Sequence, residues 1–414
     1  MILITQLMHE IKRLQFVPKT VLFFLSFYSL AVFAYSTYGG VTGPSDIYSF
    51  FSTSKLLINK IDPYKLSVDY IKRVPEINFK GLDQNGGRSL YPPSSHIIFF
   101  PFLISQEFAN ISWLIWNFVF IAIIFYTIYR KYLLQSPLLF SYLFLLLIIG
   151  SYATKSCLRY GQTSLFSFAA FTLTLMLKDR YKWLSGILFA LAMTKPSLMV
   201  LFALYFLFKK EYLIVFTAFM IHGLIIVALG FWIGESPLSL INNYAEKVSL
   251  LTNTHPSPFR LGYLVTGISF KSLFHLFQIP STFITIITSI LYLITSVYIY
   301  NYRRFNEIYI LGFIGLASML IDYHWHYDFV VLFLLFPVFI KPFPGKAGLQ
   351  WPLFYYLFLM YMPDFTFVGD FLKTHINYWI VWHLMYTGFF LILLWIFMKC
   401  SAPKAGECCG DWKS

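Results

Sequence analysis

The side chains able to do chemistry in this chain are few, and they gather where long apolar runs are interrupted. Asp46 stands in Gly43-Pro44-Ser45-Asp46, just after the first such run. A carboxylate held at a lipid–water boundary can take a proton from a sugar hydroxyl, and general-base help of that kind is worth roughly 10²–10⁴-fold. Ser45 or Asp46 would serve equally as the N-cap of a following helix, a common use of both residue types. On spacing alone the cap reading stands first.

Arg159-Tyr160-Gly161-Gln162 and Thr194-Lys195-Pro196 open two further apolar runs. Cations at such points either neutralise a phosphate or snorkel, with the stem along lipid and the charge in water. Lys195 is the better phosphate candidate, because it stands between two short runs, where helix breaks often line cavities. The heptad Asp322-Tyr323-His324-Trp325-His326-Tyr327-Asp328 sets four potential metal ligands at alternate positions. An extended segment would put all four on one face. A helix would split them, and no glutamate-bearing zinc motif accompanies them. The other readings are interfacial His and Tyr with satisfied hydrogen bonds, or phosphate and sugar contacts with aromatic stacking.

The elements that must position these groups follow from composition. Of 414 residues, 58% are hydrophobic and only 12% charged, against about 25% charged in soluble domains. Too little polar surface remains to face water, so the chain reads as an all-α polytopic membrane protein. Apolar runs near 21–38, 112–129, 136–153, 162–177, 183–194, 196–208, 211–234, 280–300, 306–321, 327–340, 350–362 and 376–398 predict about twelve crossings. The runs 183–194 and 196–208 fall short of the roughly 20 residues a crossing needs. Each must borrow flanking residues, or the two form one broken element. The stretch 95–104, after Tyr91-Pro92-Pro93, reads as re-entrant or interfacial.

Net charge is +13, which by itself would suggest nucleic acid. With so apolar a chain it reads as topology instead. With both termini inside, the inner segments hold 17 of the 31 basic residues and 6 of the 18 acidic ones. Every short inner loop then carries a basic pair or triplet, while outer segment 363–375 carries only Lys373. The first run, behind Lys12, Arg13 and Lys19, lacks a small-x-small cleavage site before Tyr35 and reads as an uncleaved span. Residues 1–398 form one membrane domain and 399–414 a cytoplasmic tail. Outer loops 39–94 and 235–279 are too long to be mere connections and form the active face. Residues 46–61 read as an amphipathic helix on the outer membrane surface, ended by Pro63. Cys157 is the one outer-side cysteine, so no disulfide is expected there.

Five stretches, in order, resemble glycosyltransferase family 87 of the GT-C superfamily, polyprenyl-phosphate-sugar-dependent membrane mannosyltransferases. They are Asp46-Ile47-Tyr48 with Asp62-Pro63-Tyr64; Tyr91-Pro92-Pro93 with Phe99-Phe100-Pro101-Phe102; Tyr160-Gly161-Gln162-Thr163-Ser164-Leu165; Gly186 through Thr194-Lys195-Pro196-Ser197-Leu198; and Trp325-His326-Tyr327. The resemblance implies a GT-C-like bundle and an inverting, metal-independent transfer of a hexose, mannose first among them. The donor is a polyprenyl-phosphate-linked sugar, the acceptor a lipid or glycan, and no cofactor is needed. It implies Asp46 as catalytic base, with Arg159, Gln162, Lys195 and either His324 or His326 on the donor. The outer loop Asn253-Thr254-His255-Pro256-Ser257-Pro258-Phe259-Arg260 matches the family only loosely.

The leading reading is thus a hexosyltransferase of the inner or plasma membrane, contacting membrane lipids, facing outside and binding no nucleic acid. A flippase for lipid-linked sugars would also need many spans and outer cations. Transporters, however, usually carry internal repeats with paired broken helices, and none is evident. A non-catalytic component of envelope assembly is the third reading.

Overall fold

A computed structural model describes residues 19–42, 47–65, 91–253, 279–303, 306–321 and 326–340, with isolated residues and short pieces between 270 and 395. Among the described residues every regular element is helical. The α-helices are α1 (Lys19–Thr42), α2 (Ile47–Ile58), α3 (Gln106–Ile128), α4 (Leu138–Gly150), α5 (Tyr152–Tyr160), α6 (Ser164–Leu177) and α7 (Lys182–Ala192). There follow α8 (Pro196–Phe208), α9 (Tyr212–Ile233), α10 (Pro237–Asn253), α11 (Ser281–Tyr302), α12 (Glu307–Ile321) and α13 (Phe336–Ile340). Two 3-10 helices, Pro93–Phe102 and His326–Leu335, and a π-helical turn after α3, Tyr129–Leu133, complete the set.

Four stretches are long and apolar enough to cross a membrane: Thr20–Ile58, Glu107–Leu133, Tyr212–Ile233 and Thr282–Tyr302. The pair α4–α5, bent by 41° at Ser151, makes a fifth if it is one broken span. The remaining apolar helices are shorter. Twelve full-length crossings are therefore not what the described residues display, and the runs at 350–362 and 376–398 lie almost wholly outside them. Of the short helices, α12 sits inside the bundle. Every residue of α12 from Ile308 on, bar Tyr309, is buried, and irregular backbone at membrane depth is tolerated where protein covers it. Large apolar side chains of α1, α9 and α11, such as Phe24, Phe27, Phe219, Phe231, Leu293 and Ile294, are exposed instead. An apolar surface of that extent fits lipid rather than water.

One ion pair decides how the short runs at 183–208 are connected. Lys182, the first residue of α7, lies 3.0 Å from Glu211, just beyond the end of α8. The chain therefore goes up α7 and returns down α8, so these are two elements of a hairpin rather than one broken helix. Packing across this region is aromatic: Phe171 meets Phe202 at 4.3 Å between ring centroids, and Phe189 meets Phe206 at 5.0 Å. Backbones approach closely where α7 crosses α9. A Cβ on Gly186 would lie 2.5 Å from the Thr217 Cβ, the small-residue contact that membrane helices use where lipid offers no hydrophobic drive.

The helix expected at 46–61 is present as α2, and most of its residues are buried against the rest of the protein. Ile47, Phe50, Phe51, Leu56 and Leu57 are buried, and so are Ser52, Thr53 and Ser54. The buried serines are satisfied internally. Ser52 donates to the Tyr48 carbonyl, and the Ser54 hydroxyl donates to the His96 carbonyl at 3.2 Å. The 3-10 helix Pro93–Phe102 packs on α2, with Phe50 stacked on Phe99 at 4.8 Å. The segments expected as two long outer loops also touch. Asn243 of α10 donates to Asp62 at 2.8 Å, and Lys65 pairs with Glu235 at 2.6 Å.

Candidate functional site at the helix breaks

Three interruptions of the helical chain meet at one end of the bundle. The first is the turn between α5 and α6. Gly161 takes a left-handed conformation, φ 64°, which closes α5 and which a side chain would strain. The turn leaves Gln162, Thr163 and Ser164 buried at the head of α6. The second is the tip of the α7–α8 hairpin. Pro196 disfavours helical backbone at the residue before it, so Lys195 leaves the helix at ψ 80° and its side chain points into protein. The third is the start of the 3-10 helix His326–Leu335, where Tyr327 and Asp328 enter.

Lys195 joins all three. Its ammonium donates to Ser164 Oγ at 2.8 Å and to the Asp328 carboxylate, and Ser164 donates to the same Asp328 oxygen at 2.7 Å. Lys195 and Asp328 side chains are 8% and 3% exposed, so this is a buried ion pair. Two rings flank the ammonium: Tyr327 at 4.3 Å and Tyr91 at 5.9 Å from centroid to Nζ. Tyr91 is held in turn. Thr163 donates to its hydroxyl at 2.9 Å, that hydroxyl reaches Gln162 Oε1 at 3.5 Å, and Tyr64 donates to its carbonyl at 2.9 Å. Ser95 of the neighbouring 3-10 helix donates to the Thr194 carbonyl at 2.9 Å, fixing the hairpin tip.

A second carboxylate borders this group. Asp62 accepts from the Tyr64 backbone N–H and from Asn243, each at 2.8 Å. Burial raises its pKa above the ordinary 3.8, and Glu235 adds to the shift, against the two hydrogen bonds and Lys65. Asp62 thus ties the Asp62-Pro63-Tyr64 turn to α10, and Tyr64 ties that turn to Tyr91.

Of the residues singled out from sequence, Gln162 and Lys195 come together around Tyr91. Arg159 does not join them. It stands in the last turn of α5 with its guanidinium 5.6 Å from the Tyr160 ring and its stem along α1, where a Cβ on Gly39 would lie 3.5 Å from its Cγ. Asp46, His324 and the side chain of His326 lie outside the described residues, as does most of the metal-ligand heptad. Tyr91 and Ser164 are partners to which the sequence reading gave no role, and Asp328 entered it only as a possible metal ligand or phosphate contact. One signal was available for Asp328: it is an acidic residue opening an apolar run, as Lys195 is a basic one opening another.

An ammonium held between two aromatic faces, with hydroxyls beside it, can stabilise an anionic group and present stacking surface to a sugar ring. Lys195 is already charge-compensated by Asp328, so an incoming anion would share or displace that carboxylate. No curated protein and no solved structure matches this chain. The sequence profile of glycosyltransferase family 87 matches residues 90–320, more than half of the protein. The interval contains Tyr91, Arg159, Gln162, Ser164 and Lys195, and leaves Asp46 and Asp328 outside. The chain belongs to glycosyltransferase family 87.

Proposed function

We propose that this membrane glycosyltransferase moves a hexose, mannose first among them, from a polyprenyl-phosphate donor to a hydroxyl of a lipid or glycan acceptor. The observation that carries the reading is Lys195: a buried ammonium at the meeting of three helix breaks, walled by Tyr91 and Tyr327. In this reading Asp46 takes the proton from the acceptor hydroxyl. The acceptor oxygen attacks the anomeric carbon, the bond from that carbon to the phosphate oxygen breaks, and configuration inverts. Polyprenyl phosphate leaves as a stable anion, its charge met by Lys195 rather than by a metal. Gln162 and His324 or His326 complete the contacts to the donor. The site faces outside the cytoplasm, because Lys131, Lys178, Lys209 and Arg303 collect at the opposite end, as the positive-inside rule requires of the cytoplasmic side.

The test supplies purified protein in nanodiscs with labelled polyprenyl-phosphate sugars and an acceptor panel, in the presence of a chelator. Sugar transfer should proceed, and Asp46→Asn should slow it by about 10²–10⁴-fold without changing the melting temperature. An Asp46→Asn protein with the full rate removes the base assignment. Movement of intact lipid-linked sugar across vesicles, with no transfer, would establish a flippase instead.

A further inference from the structure

The other end of the bundle carries a second constellation that the transfer reaction does not use. Glu307, at the start of α12, sits among four donors. Its Oε2 meets Lys131 at 2.8 Å and Tyr132 at 3.1 Å, and its Oε1 meets Lys178 at 3.1 Å and Tyr205 at 3.3 Å. Glu211 is engaged by Lys182 at 3.0 Å, and Asp179 by Lys178 at 3.4 Å. The acidic groups here are therefore all engaged, and of the five described cations at this end with no carboxylate within 4 Å, Arg130, Arg180 and Lys210 are exposed while two are half-buried.

Those two are Lys209, just after α8, and Arg303, just after α11. Among the described residues Lys209 lies 5.9 Å from the Tyr205 ring. Arg303 lies over the Tyr300 ring at 3.8 Å and gives one N–H to the Tyr300 carbonyl, leaving most of its five donors for other partners. The two cations are joined through an aromatic contact, because Phe208 and Tyr300 meet edge-on at 5.7 Å. Burial, and behind it the charges of Lys178 and Arg303, lower the proton affinity of Lys209 despite Glu307 and Glu211 nearby. Leading away from Arg303, α11 presents Tyr300, Val297, Ile294 and Leu293, all at least half exposed.

A half-buried cation pair at the foot of an exposed apolar strip matches an amphiphile with an anionic head. We infer that Lys209 and Arg303 bind the phosphate headgroup of an anionic phospholipid whose acyl chains lie along the exposed face of α11. Phosphate chemistry suits both cations, with Arg offering a fork and Lys a point charge. The strip of lipid-facing side chains is what selects a lipid over free phosphate.

The experiment uses the full chain in detergent, followed by native mass spectrometry and thermal unfolding. The probes are phosphatidylglycerol, phosphatidylcholine and inorganic phosphate. Phosphatidylglycerol should stay bound and raise the melting temperature, whereas the other two should do neither at equal concentration. Lys209→Gln with Arg303→Gln should weaken phosphatidylglycerol retention at least tenfold. Lys210→Gln, the loss of one charge at the exposed neighbouring residue, should leave retention near that of the unaltered protein. Equal stabilisation by inorganic phosphate would overturn the lipid assignment. Equal loss in Lys210→Gln would reduce the site to general surface charge, and unchanged retention in the double variant would remove it.

Discussion

The two ends of the bundle solve the same electrostatic problem in opposite ways. At one end Glu307 sits among two lysines and two tyrosine hydroxyls, so an anion is surrounded by donors. At the other end Lys195 sits with one carboxylate, one serine hydroxyl and two rings, so a cation is held in a less saturated shell. The Glu307 cluster ties α3, α6, α8 and α12 through side chains in or next to regular helices. The Lys195 cluster is built from residues where helices stop. A shell in which each carboxylate oxygen meets a lysine and a tyrosine is a fastening. An ion pair at three chain breaks, flanked by rings, is placed where backbone can shift and a ligand can enter.

The largest effect should come from breaking the buried pair. Lys195→Met leaves Asp328 uncompensated and should cost about 3–5 kcal/mol, measured by thermal unfolding in detergent, together with loss of sugar transfer. A second variant separates fastening from function. Replacing both partners, Lys195→Met with Asp328→Leu, removes the orphan charge, and such replacements are often neutral in stability. Stability should return while transfer stays lost. Recovery of both would make this end a fastening like the other and end the comparison.

Glu307→Gln is the matching lesion at the opposite end. It leaves Lys131 and Lys178 facing each other without a carboxylate and should cost about 2–3 kcal/mol, below the fully buried range, since the three side chains keep 13–22% exposure. The transfer rate per folded molecule should not change. A variant that unfolds no earlier but transfers slowly would show the two ends to be coupled.

How much of this was legible beforehand depends on whether the deciding partner was near in sequence. Lys195 and Gln162 stand out because a polar side chain beside a Pro or Gly break in an apolar run has few structural excuses. Their partners do not stand out. Asp328 is 133 residues from Lys195, and Tyr91 is 72 from Thr163, so only the tertiary fold unites them. The α7–α8 hairpin turned on a single ion pair between Lys182 and Glu211 that no periodicity encodes. For α2 the pattern showed the helix but not how much of it is covered. Ser52 and Ser54 are buried because each hydroxyl finds a carbonyl, Ser52 one turn back at Tyr48 and Ser54 across the fold at His96.

Asp62 offers the smallest and most discriminating probe of the Lys195 end, because it touches the turn behind Tyr91 rather than the ammonium itself. Its pKa is raised in the folded protein, chiefly by burial. The native state therefore holds the Asp62 proton more tightly than the unfolded chain does. That contribution to stability is full below the ordinary aspartate value of 3.8 and is lost as the pH rises through the raised value. Asp62→Asn removes the titration but keeps one acceptor for the Tyr64 N–H or the Asn243 amide. The variant should change stability by about 1 kcal/mol or less, the worth of one hydrogen bond. Its melting temperature should also fall less than that of the unaltered protein as the pH rises from acid toward neutrality. Parallel melting curves for the two proteins across that range would mean that Asp62 titrates alike folded and unfolded. The Asp62-Pro63-Tyr64 turn would then be open to water rather than sealed against α10, and the Lys195 end would be looser than its hydrogen bonds imply.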